Sequence, residues 1–507
     1  MRIKRLIAVS AVFAAFMVPS RSEAREWTIV GPRALGMGGA NVAVANDATA
    51  SYWNPAAYGF FGNKEGGEYG KRDFSGVLDA GFGYQVHENL GEELDKIAKF
   101  NYNNLNTGAI SPAGVSDFLS LVNQLKTFND NKNRALTIQL NGGLRVQVGR
   151  FGVGGYVFND VSAKGELDLV NISPVATGVG GTFTVTDFTT PANYGCPACS
   201  TVALEGTAAG LSTAQEAELN TYLTTSLGWT SAQSIGFVNA LDNGITASGV
   251  AVPADIVSIT ETVAGVATVA ATTGGTFSNN TSRLLFKGAF ITEIPFTYGH
   301  PITPDLAVGG NIKLLKARVY NSKIDIFNTD FGAALSDATK SYKESQAFGL
   351  DLGAMYRFGD NLRLGLVGRN INSPSFEMTP LVAGDEDSFK EKAQYRAGVA
   401  YKPLSFVTLA LDYDITKNDT TVGADYKSQN LGGGVELNIL KILQLRAGAY
   451  KNIAESDIGL VYTVGGGLNL WLVNVDLGAS LSSSRTSIDG NEFPEEIKAE
   501  LAVSALF

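Results

Sequence analysis

The chain has 507 residues, a formal net charge of −10, 58 glycines, two histidines and two cysteines. An acidic chain lacks the basic footprint of a nucleic-acid binder, two histidines make no metal cluster, and no nucleophile–base pair stands out, so neither cofactor nor enzyme is expected. The glycine content exceeds the usual ~7%, and with many short alternating segments it predicts one large all-β architecture rather than the roughly three domains that length suggests.

The first residues combine a basic "MRIKR", an apolar run "LIAVSAVFAAFMVPS" and the small residues Ser22 and Ala24. That order predicts an export signal over 1–24, cleaved after Ala24. A spanning helix would need about 20 apolar residues. Residues 25–66 form a small-sided segment around "GPRALGMGGANVAVANDATASYWNPAAY". Gly36, Gly38 and Gly39 permit close backbone approach, and Asn54 is placed to cap a turn that starts at Pro55. Asn41, Asn46 and Asp47 offer hydrogen bonds to a polar wall. The segment reads as a plug inside a barrel made by 67–507.

Period-two alternation recurs along the rest of the chain. In "FVTLALDYDIT", Val407, Leu409, Leu411 and Tyr413 share one face, while Thr408, Asp412 and Asp414 share the other. Asp412, Asp414 and Asp476 are expected as solvated wall residues. Short turns near 149–151, 299–305, 359–361, 403–404, 440–441 and 472–473 alternate with long connections at 87–133, 162–281, 320–345, 371–393, 417–426, 452–456 and 486–495. This is the signature of a transmembrane antiparallel β-barrel, here of about 14 strands, with both termini on the short-turn side. Tyr298, Tyr356, Phe358, Tyr401, Phe406 and Trp471 gather near the short turns, as an aromatic belt does. In the third strand Gly152, Gly154 and Gly155 predict a kink or bulge, and with it a lateral opening. The last strand, "IKAELAVSALF", ends on Phe507 and resembles the signal read by the outer-membrane assembly machinery.

Two long connections carry helical patterns. In the first, Ser111 and Pro112 start a stripe that includes Phe118, Leu119 and Val122. In the second, Ser212 and Gln215 have capping-box spacing, and Tyr222 and Leu223 follow on one face. These stripes form either a hydrophobic catch site or a self-packed lid. Cys196 and Cys199, in "CPAC", are expected to form a loop-stapling disulfide in an oxidising compartment.

Over residues 31–58 the chain resembles the FadL/toluene-transporter family, through Gly36, Met37 and Gly38 and through Asn54, Pro55 and Ala56. The resemblance implies a fourteen-strand barrel with an N-terminal hatch in the outer membrane of a Gram-negative bacterium, among lipid and lipopolysaccharide. It further implies uptake of a hydrophobic small molecule. The insertion at 162–281 and the helix near 112–127 also resemble a TraF-type conjugal-transfer branch of that family. This second resemblance implies a non-transporting barrel that presents its loops to a partner in conjugation or secretion.

Overall fold

The computed structural model describes residues 25–62, 73–93, 124, 127–129, 131, 133–168, 189, 199–206, 210–248, 256–258, 260–261, 264, 281–325, 340–381, 387–488 and 490–506. The expected signal 1–24, Phe118, Leu119, Val122, Cys196 and Phe507 lie outside the described residues.

Twenty described strands follow in chain order. The first seven are β1 (Phe74–His87), β2 (Ala135–Val148), β3 (Phe151–Glu166), β4 (Arg283–Pro301), β5 (Leu306–Asp325), β6 (Tyr342–Phe358) and β7 (Leu362–Arg369). Next come β8 (Ser375–Glu377), β9 (Ser388–Lys390), β10 (Gln394–Leu404), β11 (Val407–Asp414), β12 (Asn418–Asp419), β13 (Lys427–Ser428) and β14 (Asn430–Ile439). The last are β15 (Leu443–Asn452), β16 (Val461–Asn469), β17 (Val473–Ser482), β18 (Arg485–Ile488), β19 (Asn491–Pro494) and β20 (Glu496–Leu506).

Fourteen of these strands close into one antiparallel barrel: β1 to β7, β10, β11, β14 to β17, and β20. Closure is made by β1 on β20, from Ser75 opposite Leu506 to Gln85 opposite Glu496. A closed ladder leaves no open edge for a bilayer to meet. The other six strands pair as three small hairpins within the long connections.

The faces of the wall are inverted relative to a water-soluble sandwich. Leu78, Phe82, Leu477 and Leu501 are exposed on the outside, whereas the intervening Asp79, Glu500, Arg145 and Glu293 are buried within. An outward apolar band around a polar interior is what a bilayer requires of a barrel. Tyr298, Phe358, Tyr401, Phe406 and Trp471 are exposed close to the short turns, with Trp471 at 93%.

Residues 25–62 lie against the inner face of this wall. Gly31, at φ +91°, turns the chain into helix α1 (Pro32–Gly36), where Pro32 opens the first turn without needing an N–H partner. Helix α2 (Ala50–Trp53) follows, and Asn54 then caps the 3-10 turn Pro55–Phe60 by accepting the Ala56 N–H at 3.1 Å. The chain runs from Arg25 at mid-wall to Gly59 beside Gly299 and His300 near the short turns. In the second insertion, α3 (Thr213–Thr225) carries the expected capping box of Ser212 and Gln215, and α4 (Ser231–Ser248) packs against it.

Candidate transport site

The inner segment is built around aromatic rings. Tyr52 meets Trp53 edge-on at 5.5 Å between centroids and Tyr156 of β3 at 5.6 Å. Trp27 meets Tyr52 at 6.3 Å. Arginines from the wall cover these rings, with the Arg369 guanidinium 3.8 Å from the Tyr52 centroid and that of Arg396 4.5 Å from Trp27. Stacking a guanidinium on a ring lets the charge stay buried while the planar N–H groups reach carboxylates in the ring plane.

Those carboxylates are placed by the inward phase of the strands. Glu293 of β4 accepts from Arg25 at 2.8 Å and from Arg369 at 3.1 Å, and pairs with Lys313 at 3.3 Å. Glu391 binds Arg25 at 3.1 Å, and Asp351 binds Lys313 at 2.9 Å. Arg25, Lys313 and Arg369 thus face Glu293, Glu391 and Asp351, all almost fully buried.

Wall carboxylates also take backbone N–H groups of the segment. Asp412 of β11 accepts from Asn41 and Val42 at 2.8 and 2.9 Å, and Glu500 of β20 accepts from Gly31 at 3.1 Å, beside the start of α1. Gly38, at φ +66°, lies so close to the backbone oxygens of Ala449 and Gly433 that any Cβ would overlap them. Of the Gly36–Met37–Gly38 motif, Gly36 presses on the backbone of Gly465 and Met37 is fully buried. The Asn54 side chain reaches the Ala354 carbonyl at 3.1 Å.

Two expectations are corrected here. Asp412 and Asp414 are buried rather than solvated, because the segment occupies the space that water would fill; Asp414 pairs with Arg396 at 2.5 Å. Asp476 is the more open one, yet it too is engaged, by Arg446 at 2.6 Å. Asn46 and Asp47 bond within the segment, to Arg33 and Thr49, since the wall offers mainly carboxylate acceptors and these are served by backbone donors.

Beside Gly152, Gly154 and Gly155 the β3–β4 ladder is interrupted, though without a bulge. Pairing of β3 with β4 runs to Val153 opposite Phe296 and resumes at Tyr156 opposite Glu293. The inward–outward alternation is the same on both sides, so no residue is inserted. Gly154, Gly155, Ile294 and Pro295 stand in the gap. Pro295 has no N–H to give, and the space where a Gly155 side chain would project is empty within 4 Å. The Tyr58 ring packs against Gly152 just below.

Of the expected ligand residues, Phe118, Leu119 and Val122 lie outside the described residues. Leu223 is fully buried in the α3–α4 pair and Tyr222 is half-buried. Cys199 is disulfide-bonded, and Cys196 is the other cysteine of the chain. Toward the long connections a cavity of about 20 Å³ is lined by Glu26, His87, Gln139, Asp160, Tyr426 and Lys498 among others. That is room for about one water, and too little for a hydrocarbon. A depression of about 650 Å³ bordered by Ala80, Phe82, Val464, Ala479 and Ala499 opens outward, on the lipid side of the wall.

What sequence reading missed is the charge network. Its signal was present, as Glu293 and Lys313 interrupt apolar runs on the lumen phase of their strands, but Arg25, a partner of Glu293, lies 268 residues away from it.

A family model described as "F plasmid transfer operon, TraF, protein" matches residues 51–414. The chain belongs to that family. No curated protein matches this TraF-family chain. Among solved structures it is similar to the Ralstonia pickettii toluene transporter TbuX, with 12% identity, 94% of this chain and 98% of that one covered, and a TM-score of 0.44. It is also similar to the P. putida toluene transporter TodX, at 12% identity, 95% and 99% coverage and a TM-score of 0.42. A Pseudomonas aeruginosa FadL homologue matches at 10% identity, 97% and 99% coverage and a TM-score of 0.40.

Proposed function

We propose that this TraF-family barrel is an outer-membrane channel for small hydrophobic compounds, with residues 25–62 as its plug. The observation that carries the reading is the break in the β3–β4 ladder at Gly154, Gly155, Ile294 and Pro295, next to a lumen blocked by the inner segment. A polar, blocked lumen is a poor route for an apolar molecule, and the interrupted ladder, with two glycines on one strand, is the proposed place for such a molecule to leave sideways, into lipid. The 20 Å³ cavity means that passage requires the plug to shift. The external helices, with Tyr222 and the stripe at Phe118, Leu119 and Val122, are the proposed place of first contact. The second reading, a barrel that presents its loops to a conjugation or secretion partner, is favoured by the family match.

Accumulation of radiolabelled toluene by cells carrying the wild-type chain, Gly155→Phe or an empty vector tests the proposal. The wild type should exceed the empty vector, and Gly155→Phe, whose side chain fills the gap from outside, should return to the control. Wild-type accumulation equal to the empty vector, with a folded barrel, removes the channel reading and leaves the partner-presenting one.

A further inference from the structure

Three neighbouring strands change phase at one level of the wall. On β5, Ile312 and Leu314 are exposed outside while Asn311 and Lys313 are buried inside. One residue further the order reverses: Leu315, Ala317 and Val319 are buried inside, and the side chains of Lys316 and Arg318 are 47% and 45% exposed outside. The inward series of β4 likewise turns from Glu293 to Ile291 and Ala289, and the outward series of β6 turns from Phe348 to Gln346 and Glu344. The buried apolar residues above the change pack with Phe376, Met378 and Phe389 of the β8–β9 hairpin.

Register places the change in one row, since Leu314 stands opposite both Ile294 and Phe348. From Leu306, where β5 begins, to Leu314 is nine residues, within the ~9–11 that a tilted strand uses to cross hydrocarbon. The row therefore marks the edge of the hydrocarbon on the long-connection side, and Lys316 and Arg318 stand just above it, at headgroup depth. Both cations share one carboxylate: Lys316 Nζ lies 2.8 Å from Glu344 Oε1, and Arg318 donates from Nε to Oε2 at 2.9 Å. Tyr342 lies 5.1 Å from the Arg318 guanidinium and 5.6 Å from the Tyr320 ring, edge to face. Tyrosines mark a membrane–water interface. Exposed ion pairs add little stability, so stability gives no reason to set two cations around one acid here. The surplus positive charge, at that depth, matches an anionic headgroup, and Arg and Lys both serve as phosphate donors.

We propose that Lys316 and Arg318 bind the phosphate of a lipid in the leaflet on the long-connection side, whose chains lie on Ile294, Leu314 and Phe348. Glu344 holds the two cations in place, and the tyrosines flank the headgroup. The site rests on the barrel's place in a membrane and not on what the barrel transports, so loss of toluene uptake and loss of lipid binding are separate results.

Native mass spectrometry of the full-length barrel in a neutral detergent, titrated with phosphatidic acid or with diacylglycerol of the same chains, tests this. One phosphatidic acid per barrel is expected to bind saturably, and diacylglycerol at least fivefold more weakly. Lys316→Gln and Arg318→Gln should each weaken phosphatidic acid about fivefold, the usual worth of one cation near an anionic lipid. Glu344→Gln should tighten it by removing the competing acid. Lys441→Gln, at an exposed position in a short turn at the opposite rim, should change nothing. Heat-modifiable migration on gels confirms a folded barrel in each variant. Equal binding of the two lipids overturns the proposal by assigning retention to the chains alone, as does wild-type affinity in both Lys316→Gln and Arg318→Gln. Equal weakening by Lys441→Gln overturns it by assigning the effect to overall charge. Displacement by inorganic phosphate at the same concentration also overturns it, since the site would then serve a free anion.

Discussion

Arg25 concentrates the residue-scale physics of the barrel. Its guanidinium spans Glu293 and Glu391, stacks 4.0 Å from the Phe158 centroid, and is 97% buried, while its carbonyl accepts from Gln394 at 2.7 Å. Desolvating such a cation is costly, and the cost is offset only while both carboxylates and the ring stay in place. Arg25→Ala should therefore destabilise the barrel by about 3–5 kcal/mol, the usual result of removing one partner from a buried pair. Urea titration of the heat-modifiable band measures this. The double variant Arg25→Ala/Glu391→Gln should lose clearly less than the two single losses added together, because the charge left stranded by the first change is removed by the second. Strict additivity would mean that the pair is not coupled. Gly38 shows the same dependence in apolar form, since its left-handed backbone and its contact with Ala449 and Gly433 leave no room for any other residue.

Elements show where sequence patterns suffice and where they fail. Long strands such as β11 and β17 are legible because one face must meet lipid and the other the lumen, so hydrophobicity alternates with every residue. The hairpins β8–β9, β12–β13 and β18–β19 escape such reading, since strands of two to four residues hold no period. The turn at Asn54–Pro55 was legible from local chemistry alone. The interruption of the β3–β4 ladder was half legible: the glycines of β3 mark an irregular strand, but that Pro295 stands opposite them is a matter of register across more than a hundred residues. A clasp at the long-connection rim was not legible at all. There His87, at the end of β1, meets Asp457 at 3.1 Å, and Tyr426 donates to the same carboxylate at 2.8 Å, joining three separate connections. Burial opposes charge on Asp457, yet the His87 hydrogen bond and charge hold its carboxyl below the usual range. Nearby, burial and then the Asp457 charge push Glu495 up to about 7, with Glu88 adding to the push and His87 opposing it. The two acids act with opposite sign. A raised carboxyl stabilises the folded rim when protonated, so the Glu495 contribution is complete below the ordinary carboxylate range and fades as pH climbs through about 7. The lowered Asp457 contributes above that range, and its contribution is lost only in stronger acid. Hydrogen-exchange protection of residues 453–460 should accordingly decline between pH 5 and 8. Glu495→Gln should flatten that limb and keep the acid limb. An unchanged decline in the variant would show that another group titrates there.

At the scale of the whole molecule, the decisive pairing is that of β1 with β20, which joins the first strand to the last across more than 400 residues. The final pairs, Gly76 with Ala505 and Ser75 with Leu506, belong to the very end of the chain. Deleting residues 505–507 should thus lower the fraction of folded, heat-modifiable barrel in outer-membrane fractions and raise the periplasmic pool. Wild-type levels of folded barrel in the deletion would show that the terminal residues play no part in assembly. The same closure constrains the order of events. Residues 25–62 sit inside the ring, pinned to strands as distant as β11, β16 and β20. A folded segment with α1, α2 and a stack of indole and phenol rings cannot thread into a finished, closed cylinder. The wall must instead wrap around it, like staves set about a core before the last hoop is driven on. The earliest part of the described chain to leave the ribosome therefore waits for the latest. Its tryptophans and tyrosines depend on a chaperone, or on a half-built sheet, to keep them from aggregation until the seam is sewn.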